Sequence, residues 1–455
     1  MSEGLIYVQD FTLDSCKIVT SQGQPFEFRF MVIELNYFED LYNNAITGNL
    51  LINDSNGFLS LLGFNGNDYL MLTFGKPGSD EKINKVFRIF KVSNRTLVKE
   101  TNENYILHFI SEEALISEQY KVSKSYKNKK VSEMVSDILY NTLIVKPEKF
   151  LTKNNEETAD ARDIVVPIMA PFEAINWLAT QAISKTSKTI GSPYLFYENY
   201  EGYNFKSLQS LFDGPVYGIY KYEPKNLTLL EDARVQDLNA EIKNVIAYEA
   251  INQFDMLNLI DSGAFANRLI AVDTIRSTYT ITDFDYDQYF QNAKKLNKYG
   301  ILSNALNRKG DSANSTYEGV IKTVTTNTGE STLSPYIRSH YPGVKDINIE
   351  LRIPHRTAQF AQIDAIKYRI SIPGDPKMTV GNIVEFRLPD MRIDENGDRN
   401  MDRYYSGKFL VTAVRHKFDQ ENKFITLIEI CKESLPNAYD VVDNSLQAWK
   451  EIRSK

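Results

Sequence analysis

Asp394, Asn396, Asp398, Asn400 and Asp402 place oxygen-bearing side chains at every second position, the ligand spacing of a calcium-binding loop. Such a loop also needs a glycine at its sixth position for the sharp turn and a bidentate glutamate at its twelfth. Arg399 and Tyr405 stand there instead, so the stretch reads as a polar hairpin tip joining two strands. Asp283, Asp285 and Asp287 read as the acidic first turn of a helix, where carboxylates complement the macrodipole, with Tyr286 and Phe290 packing inward. His108, His340, His355 and His416 lie singly, without HExxH spacing and without paired cysteines. No phosphate loop of the GxxxxGKS/T type and no GxSxG nucleophile elbow occurs. The carboxylates are too numerous for sequence to nominate a glycosidase pair, which is defined by a separation in space. No catalytic, cofactor-binding or metal-ligating residue is assigned, and no enzyme activity is expected.

The elements around these residues point to a β-rich, α+β chain of several domains. Phe26-Glu27-Phe28-Arg29-Phe30 alternates with period two, which would put the three rings on one face of a strand. Thr47 to Asp54 reads as a short strand between turns rich in Asn, Asp and Gly. From about 116 the pattern changes. Val131, Met134, Val135, Ile138 and Leu139 share a helical face, and Pro171 opens a second helix carrying Ile175, Leu178 and Ala182. A hairpin follows, with Tyr194-Leu195-Phe196-Tyr197 against Tyr203-Asn204-Phe205 and Glu201-Gly202 near the tip. Further on, a long helix is predicted from about Asp283 to Tyr299, ended by Gly300. Residues 309 to 335, rich in Ser, Thr, Asn and Gly, read as a mobile loop. Leu446, Trp449 and Ile452 mark a short terminal helix.

One pattern recurs. Gly66 to Phe74, Phe87 to Val92 and Tyr105 to Ile110, running into Ser111-Glu112-Glu113-Ala114-Leu115, return in degraded form as Gly381 to Arg387, Lys408 to Val414 and Phe424 to Ile430, running into Lys432-Glu433-Ser434-Leu435. The reading is two tube-like β-barrel domains of one design: 1–115 for the first and 233–435 for the second, the latter interrupted by an insertion at about 260–340. An α+β accessory domain would occupy 116–232 and a C-terminal helix 436–455. A widely spaced pair is unlike the short periods of a solenoid. It suits a ring to which each subunit contributes two equivalent sectors, and three chains would then show six similar faces.

The bulk numbers agree with this frame. A chain of 455 residues exceeds one ordinary core, and its 27 Tyr and 25 Phe favour strands. The formal charge of −7 provides no overall basic field for nucleic acid or anionic lipid, yet it is compatible with a conduit along which DNA slides without sticking. Cys16 and Cys431 are too few for a disulfide scaffold and lack zinc-ligand spacing, so both are expected as reduced core thiols. No basic and apolar leader and no membrane-length apolar run is read at the start or along the sequence, and the expected location is cytosol or assembled particles.

Asp402 to His416, followed by Phe424-Ile425-Thr426-Leu427, resembles baseplate hub proteins of contractile-tailed phages, as do Ala45 to Asp54 and Tyr194 to Phe205. The resemblance spans nearly the whole chain and is to the central hub of T-even-like phages, with a more distant kinship to the hub part of type VI secretion spike proteins. It implies a homotrimer forming a pseudo-sixfold torus that adapts a threefold spike to the sixfold tail tube. The lumen of that torus would carry DNA without specific binding. The implied partners are other copies of the chain, a spike protein, tail tube or tube-initiator proteins and a tape measure protein, with no membrane. The implied location is the virion tail baseplate, assembled in host cytoplasm. Only about one short helix follows residue 435, too little for a neck or needle, so the spike is expected as a separate chain. Asn36 to Gly48 is a candidate for stacking on the next ring. A tail-associated peptidoglycan hydrolase using carboxylates of 116–232 and a Tyr-rich glycan-binding module are the alternative readings.

Overall fold

The computed structural model describes residues 11–20, 23–77, 82–99, 102–159, 161–187, 191–223, 243–273, 277–301, 320–326, 349–393, 399–419 and 423–438. The first strands are β1 (Thr12–Val19), β2 (Pro25–Glu27), β3 (Val32–Asp40), β4 (Thr47–Asp54), β5 (Tyr69–Gly75), β6 (Lys82–Lys99) and β7 (Asn102–Ile110). They pair in the order β3-β4-β7-β6-β5-β1-β2. Strict alternation is the cause: in β7, Glu103, Tyr105, Leu107 and Phe109 are buried while their neighbours face outward. Gly48 of β4 lies under the Phe109 ring, where an added Cβ would sit 2.2 Å from a ring carbon. The alternation predicted across Phe26 to Phe30 ends at Glu27. A 3-10 turn, Arg29–Met31, interrupts it, so Phe28 is buried while Phe30 is 83% exposed and stacks under the Arg29 guanidinium.

The middle of the chain holds two antiparallel pairs, β8 (Val122–Lys129) with β9 (Arg162–Met169) and β10 (Tyr194–Asn199) with β11 (Gly202–Ser207). The predicted helical faces are present. Val131, Met134, Val135, Ile138 and Leu139 are all buried, and Pro171 opens the helix Pro171–Gln181 with Ile175 and Leu178 inward. Their core includes the stacked rings of Phe196 and Tyr203, 5.5 Å apart.

The remaining strands are β12 (Val216–Lys221), β13 (Ala247–Asn252), β14 (Ala266–Asp273), β15 (Thr278–Asp285), β16 (Tyr299–Gly300), β17 (Ile321–Thr326), β18 (Ile366–Pro373), β19 (Ile383–Arg387), β20 (Pro389–Ile393), β21 (Arg399–Met401), β22 (Gly407–Asp419), β23 (Phe424–Lys432) and β24 (Ser434–Leu435). Six of them repeat the pairing of the first set. The path β13-β18-β23-β22-β19-β12 matches β3-β4-β7-β6-β5-β1 strand for strand, although β12 joins β19 in parallel where β1 joins β5 antiparallel. Even an irregularity recurs, because β6 bulges between Ile89 and Lys91 against β7, and β22 bulges between Val411 and Ala413 against β23. The duplication read in the sequence is thus a duplication of topology.

Between the halves of the second copy stand a small sheet, β15-β14-β17, and the helix Ile349–Ile363 packed on it. Here two expectations are corrected. The long helix from Asp283 to Tyr299 is a strand, β15, followed by the short helix Tyr286–Asn292. The β-branched alternation of Thr278 to Thr282 wins over the acidic signal, and Asp283 pairs with Arg268 of β14 across the sheet. Within the stretch predicted as a loop over 309 to 335, residues Ile321–Thr326 form β17; the rest of that stretch lies outside the described residues. The terminal helix of Leu446, Trp449 and Ile452 also lies outside them.

The two copies do not stand apart. β22 of the second pairs with β3 of the first, which fuses both into one large sheet. Among the described residues no ladder closes that sheet into a barrel. The nearest approaches are β2, which pairs β1 and leads into β3, and a parallel bridge between Lys221 and Asn244.

Candidate assembly interface

The seam between the copies is antiparallel, in register from Ala413 opposite Asp40 to Asp419 opposite Glu34. Leu41 N donates to the carbonyl of the bulged Thr412 at 2.8 Å. Its charges are segregated by strand. On β22, Lys417 Nζ lies 3.2 Å and Arg415 Nη2 3.7 Å from the Glu34 carboxylate of β3, while Arg415 Nε donates to Asn36 Oδ1 at 2.9 Å. Burial opposes the ionisation of Glu34, but hydrogen bonds from Asn36 and Lys417 and the neighbouring charges outweigh it, holding the carboxyl below its ordinary range.

Beneath this rim the seam is apolar. Phe418 and Phe424 of the second copy sit in the core of the first, with Phe418 against Phe74 at 4.7 Å. His416 is fully buried among Tyr37, Phe74 and Phe424, and its Nδ1 meets Thr426 Oγ1 at 3.1 Å. Burial drives its pKa down to about 3, so the ring is neutral. Glu39 on β3 is also buried; it accepts from Thr379 Oγ1, from Val380 N at 3.3 Å and from Tyr37 OH at 3.1 Å. Burial pushes its pKa up to about 7, against those hydrogen bonds and the Lys85 charge.

The same parts exist a second time without their counterparts. β6 pairs β5 only from Lys82 to Arg88 and then continues to Lys99. Beyond Arg88 its β5-facing side, the side that β3 covers on β22, has no strand partner among the described residues. β13, the equivalent of β3, pairs β18 on one side and no strand on the other among the described residues. Both edges carry exposed apolar side chains: Leu97 is 72% exposed on β6, and Tyr248 is 39% exposed on β13, with Ile251 beside it. Charges of the same signs lie there too, Lys91 and Arg95 on β6 and Glu249 on β13, although Arg95 already meets Glu103 at 2.7 Å and Glu249 meets Arg369 at 2.9 Å within the chain. Long open edges of this kind template pairing with another chain.

The residues singled out in the sequence are distributed otherwise. Asp394, Asn396 and Asp398 lie outside the described residues, and so does His340. β20 and β21 flank that tip as an antiparallel pair, and Asp402 Oδ1 accepts from Tyr404 N and Tyr405 N. Asp285 caps the helix Tyr286–Asn292 by accepting from Gln288 N at 2.9 Å, and Tyr286 packs inward. His108 meets Ser93 Oγ, and His355 packs edge-on against Phe284. Among the described residues no three of His, Cys, Asp and Glu gather as a metal site, and no helix is long and apolar enough to cross a membrane. Cys16 and Cys431 are buried and free. Asn36 to Gly48 is not a free loop. Its first half is β3, held in the seam, Leu41 is buried, and Asn44 Nδ2 donates to the Phe196 carbonyl at 2.8 Å. The open edges gave no signal of their own, because an edge strand and a central strand share one alternating pattern.

No family model matches the sequence, and neither does any curated protein. Solved structures do match. The 43 kDa tail protein of prophage MuSo2 from Shewanella oneidensis superposes with a TM-score of 0.51 at 10% identity, covering 92% of this chain and 98% of that one. This chain has the fold of a phage tail protein. A tail protein from Neisseria meningitidis MC58 is similar at a TM-score of 0.49 and 9% identity, over 94% of this chain and 99% of that one. An E. coli component of the type VI secretion system aligns at 0.41 and 9%, over 95% and 79%. The resemblance read from the sequence and the match to the MuSo2 protein meet at this fold.

Proposed function

We propose that the chain is a structural hub of a contractile-tail baseplate, three copies of which join head to tail into a hollow ring of six similar β-sectors. One observation carries this reading: the seam that joins the two copies within the chain has an unused duplicate, its β22-like half on β6 and its β3-like half on β13. Because these halves are different surfaces, their union is heterologous and generates a ring or a filament rather than a twofold dimer. Register follows from the internal seam. Phe418 lies opposite Leu35, and Leu97 and Tyr248 hold the equivalent places on β6 and β13, so Leu97 of one chain would pair with Tyr248 of the next. Closure at three comes from the resemblance to phage hubs.

The β2 turn and the Lys221–Asn244 bridge support the view that each half curves into a tube-like barrel. Residues 1–115 and 233–435 would then form the ring, with 116–232 and the insertion at about 260–340 flanking it. In this reading the ring adapts a threefold spike, carried on a separate chain, to the sixfold tube of the virion tail. DNA passes through its lumen, and the tube, its initiators and a tape measure protein are neighbours. The work is geometric, and no step in it needs a catalytic group.

Mass measurement of the purified full chain tests this. The expected species has three times the 52.2 kDa chain mass, and Leu97→Lys or Tyr248→Lys yields folded monomer. A monomeric wild type, or a trimer indifferent to both substitutions, would overturn the edge-pairing argument.

A further inference from the structure

A cavity of about 660 Å³ lies between the helix Ile349–Ile363 and the C-terminal end of the helix Pro171–Gln181. Arg352, Arg356 and Lys322 line it, together with Thr357, Phe360 and Ser262, and among the described residues no carboxylate does. Arg352 is anchored, its Nη1 donating to the Thr180 carbonyl and to Gln181 Oε1 at 2.8 Å. Lys322 Nζ donates to Thr357 Oγ1 at 2.8 Å, and that hydroxyl donates onward to the Ile353 carbonyl, so two ammonium protons remain for another acceptor.

Arg356 is the telling member. Its guanidinium lies 4.7 Å over the Phe360 ring, and no ion pair joins it to a carboxylate among the described residues. Burial alone depresses its pKa, to about 10. A partly desolvated cation without a counter-ion is a cost to the fold, and an anion arriving from outside would relieve it.

We propose that this cleft binds the carboxylates of an acidic peptide segment on a partner protein, with Arg356, Arg352 and Lys322 as its cations and Phe360 as the apolar floor under the side-chain stems. Size and charge select that ligand. The cavity falls in the range of about 300–1,000 Å³ that accommodates ligands far larger than a free phosphate. A nucleic acid tract needs an extended basic surface, and the three cations lining this cleft do not make one.

The test is calorimetric titration of the full chain with acetylated hexaglutamate at low salt, repeated in the presence of inorganic phosphate. The variants are Arg356→Met, which keeps a stem over Phe360, and Lys322→Gln, on an exposed strand position. Saturable binding at one site per chain, weakened at least tenfold by Arg356→Met and severalfold by Lys322→Gln and undisturbed by equimolar phosphate, is the expected result. The melting temperature of Arg356→Met should equal or exceed that of the wild type. No hexaglutamate binding, unchanged affinity in both variants, or full displacement by equimolar phosphate would overturn the proposal. A lower melting temperature in Arg356→Met with unchanged binding would assign Arg356 to the fold instead.

Discussion

Replacing Glu39 by Gln should make the protein more stable at mildly alkaline pH, because the buried carboxyl at the seam is costly to ionise. Its pKa moves from an ordinary 4.5 to about 7 on folding. The folded state therefore keeps a proton that the unfolded chain has lost, so the stability present below pH 4.5 falls as pH rises through 7 and the full cost is reached above it. At about 1.4 kcal/mol per unit, that cost is on the order of 3 kcal/mol. Because Glu39 is completely buried, little solvent screening reduces it. Glutamine fits the same partners. Its oxygen, placed at Oε2, accepts from Thr379 Oγ1 and Val380 N, and its amide donates to the Tyr37 hydroxyl where Oε1 had accepted. Urea unfolding of wild type and Glu39→Gln at pH 4.5 and pH 8 measures the effect, and subtraction at each pH cancels the titration of His416. The variant should match the wild type at pH 4.5 and exceed it at pH 8 by on the order of 3 kcal/mol. Equal stability at pH 8 would refute the reasoning, since the three donors and Lys85 would then fully compensate the buried charge.

His416 has the opposite sign. Its folded pKa is depressed to about 3 by burial, so stability present above pH 6.5 should drain as pH falls toward 3, by up to on the order of 5 kcal/mol, and His416→Gln should flatten that slope in acid titrations of unfolding. Gly48→Ala should destabilise by about 1–3 kcal/mol or more, because its Cβ would meet the Phe109 ring at 2.2 Å and the Asn36 carbonyl at 2.4 Å, and trimming Phe109 in the double variant should recover part of the loss. Lys432 is buried with its ammonium on the Tyr404 and Ser406 carbonyls, so Lys432→Met should cost about 1–3 kcal/mol for each acceptor left unpaired, read by urea midpoint. Burial lowers the Lys432 pKa from 10.5 to about 7; wild-type stability should therefore rise with pH across that interval, and the variant should lack the rise.

What the sequence by itself determined is what depends on near neighbours. The strand Thr47–Asp54, the hairpin Tyr194–Asn199 with Gly202–Ser207 and the helical faces around Val131 and Pro171 follow from periods of two and 3.6, written within a few residues. The duplication was legible for the same reason, since equivalent strands carry equivalent alternation. Where local signals conflicted, reading failed: the acids and aromatics from Asp283 onward suit a helix start, and only the sheet partner Arg268 shows that Asp283 belongs to a strand. What the tertiary structure decided is everything that joins distant segments. Asp40 opposite Ala413, Glu39 against Thr379, and Arg352 reaching Thr180 join segments at least 172 residues apart, set by which surfaces bury together rather than by either segment's pattern. The open edges of β6 and β13 belong to the same class. A strand's alternation records which face is buried, but hydrogen bonding runs along its sides through backbone groups common to all residues, so only the assembled sheet shows which sides are still unpaired.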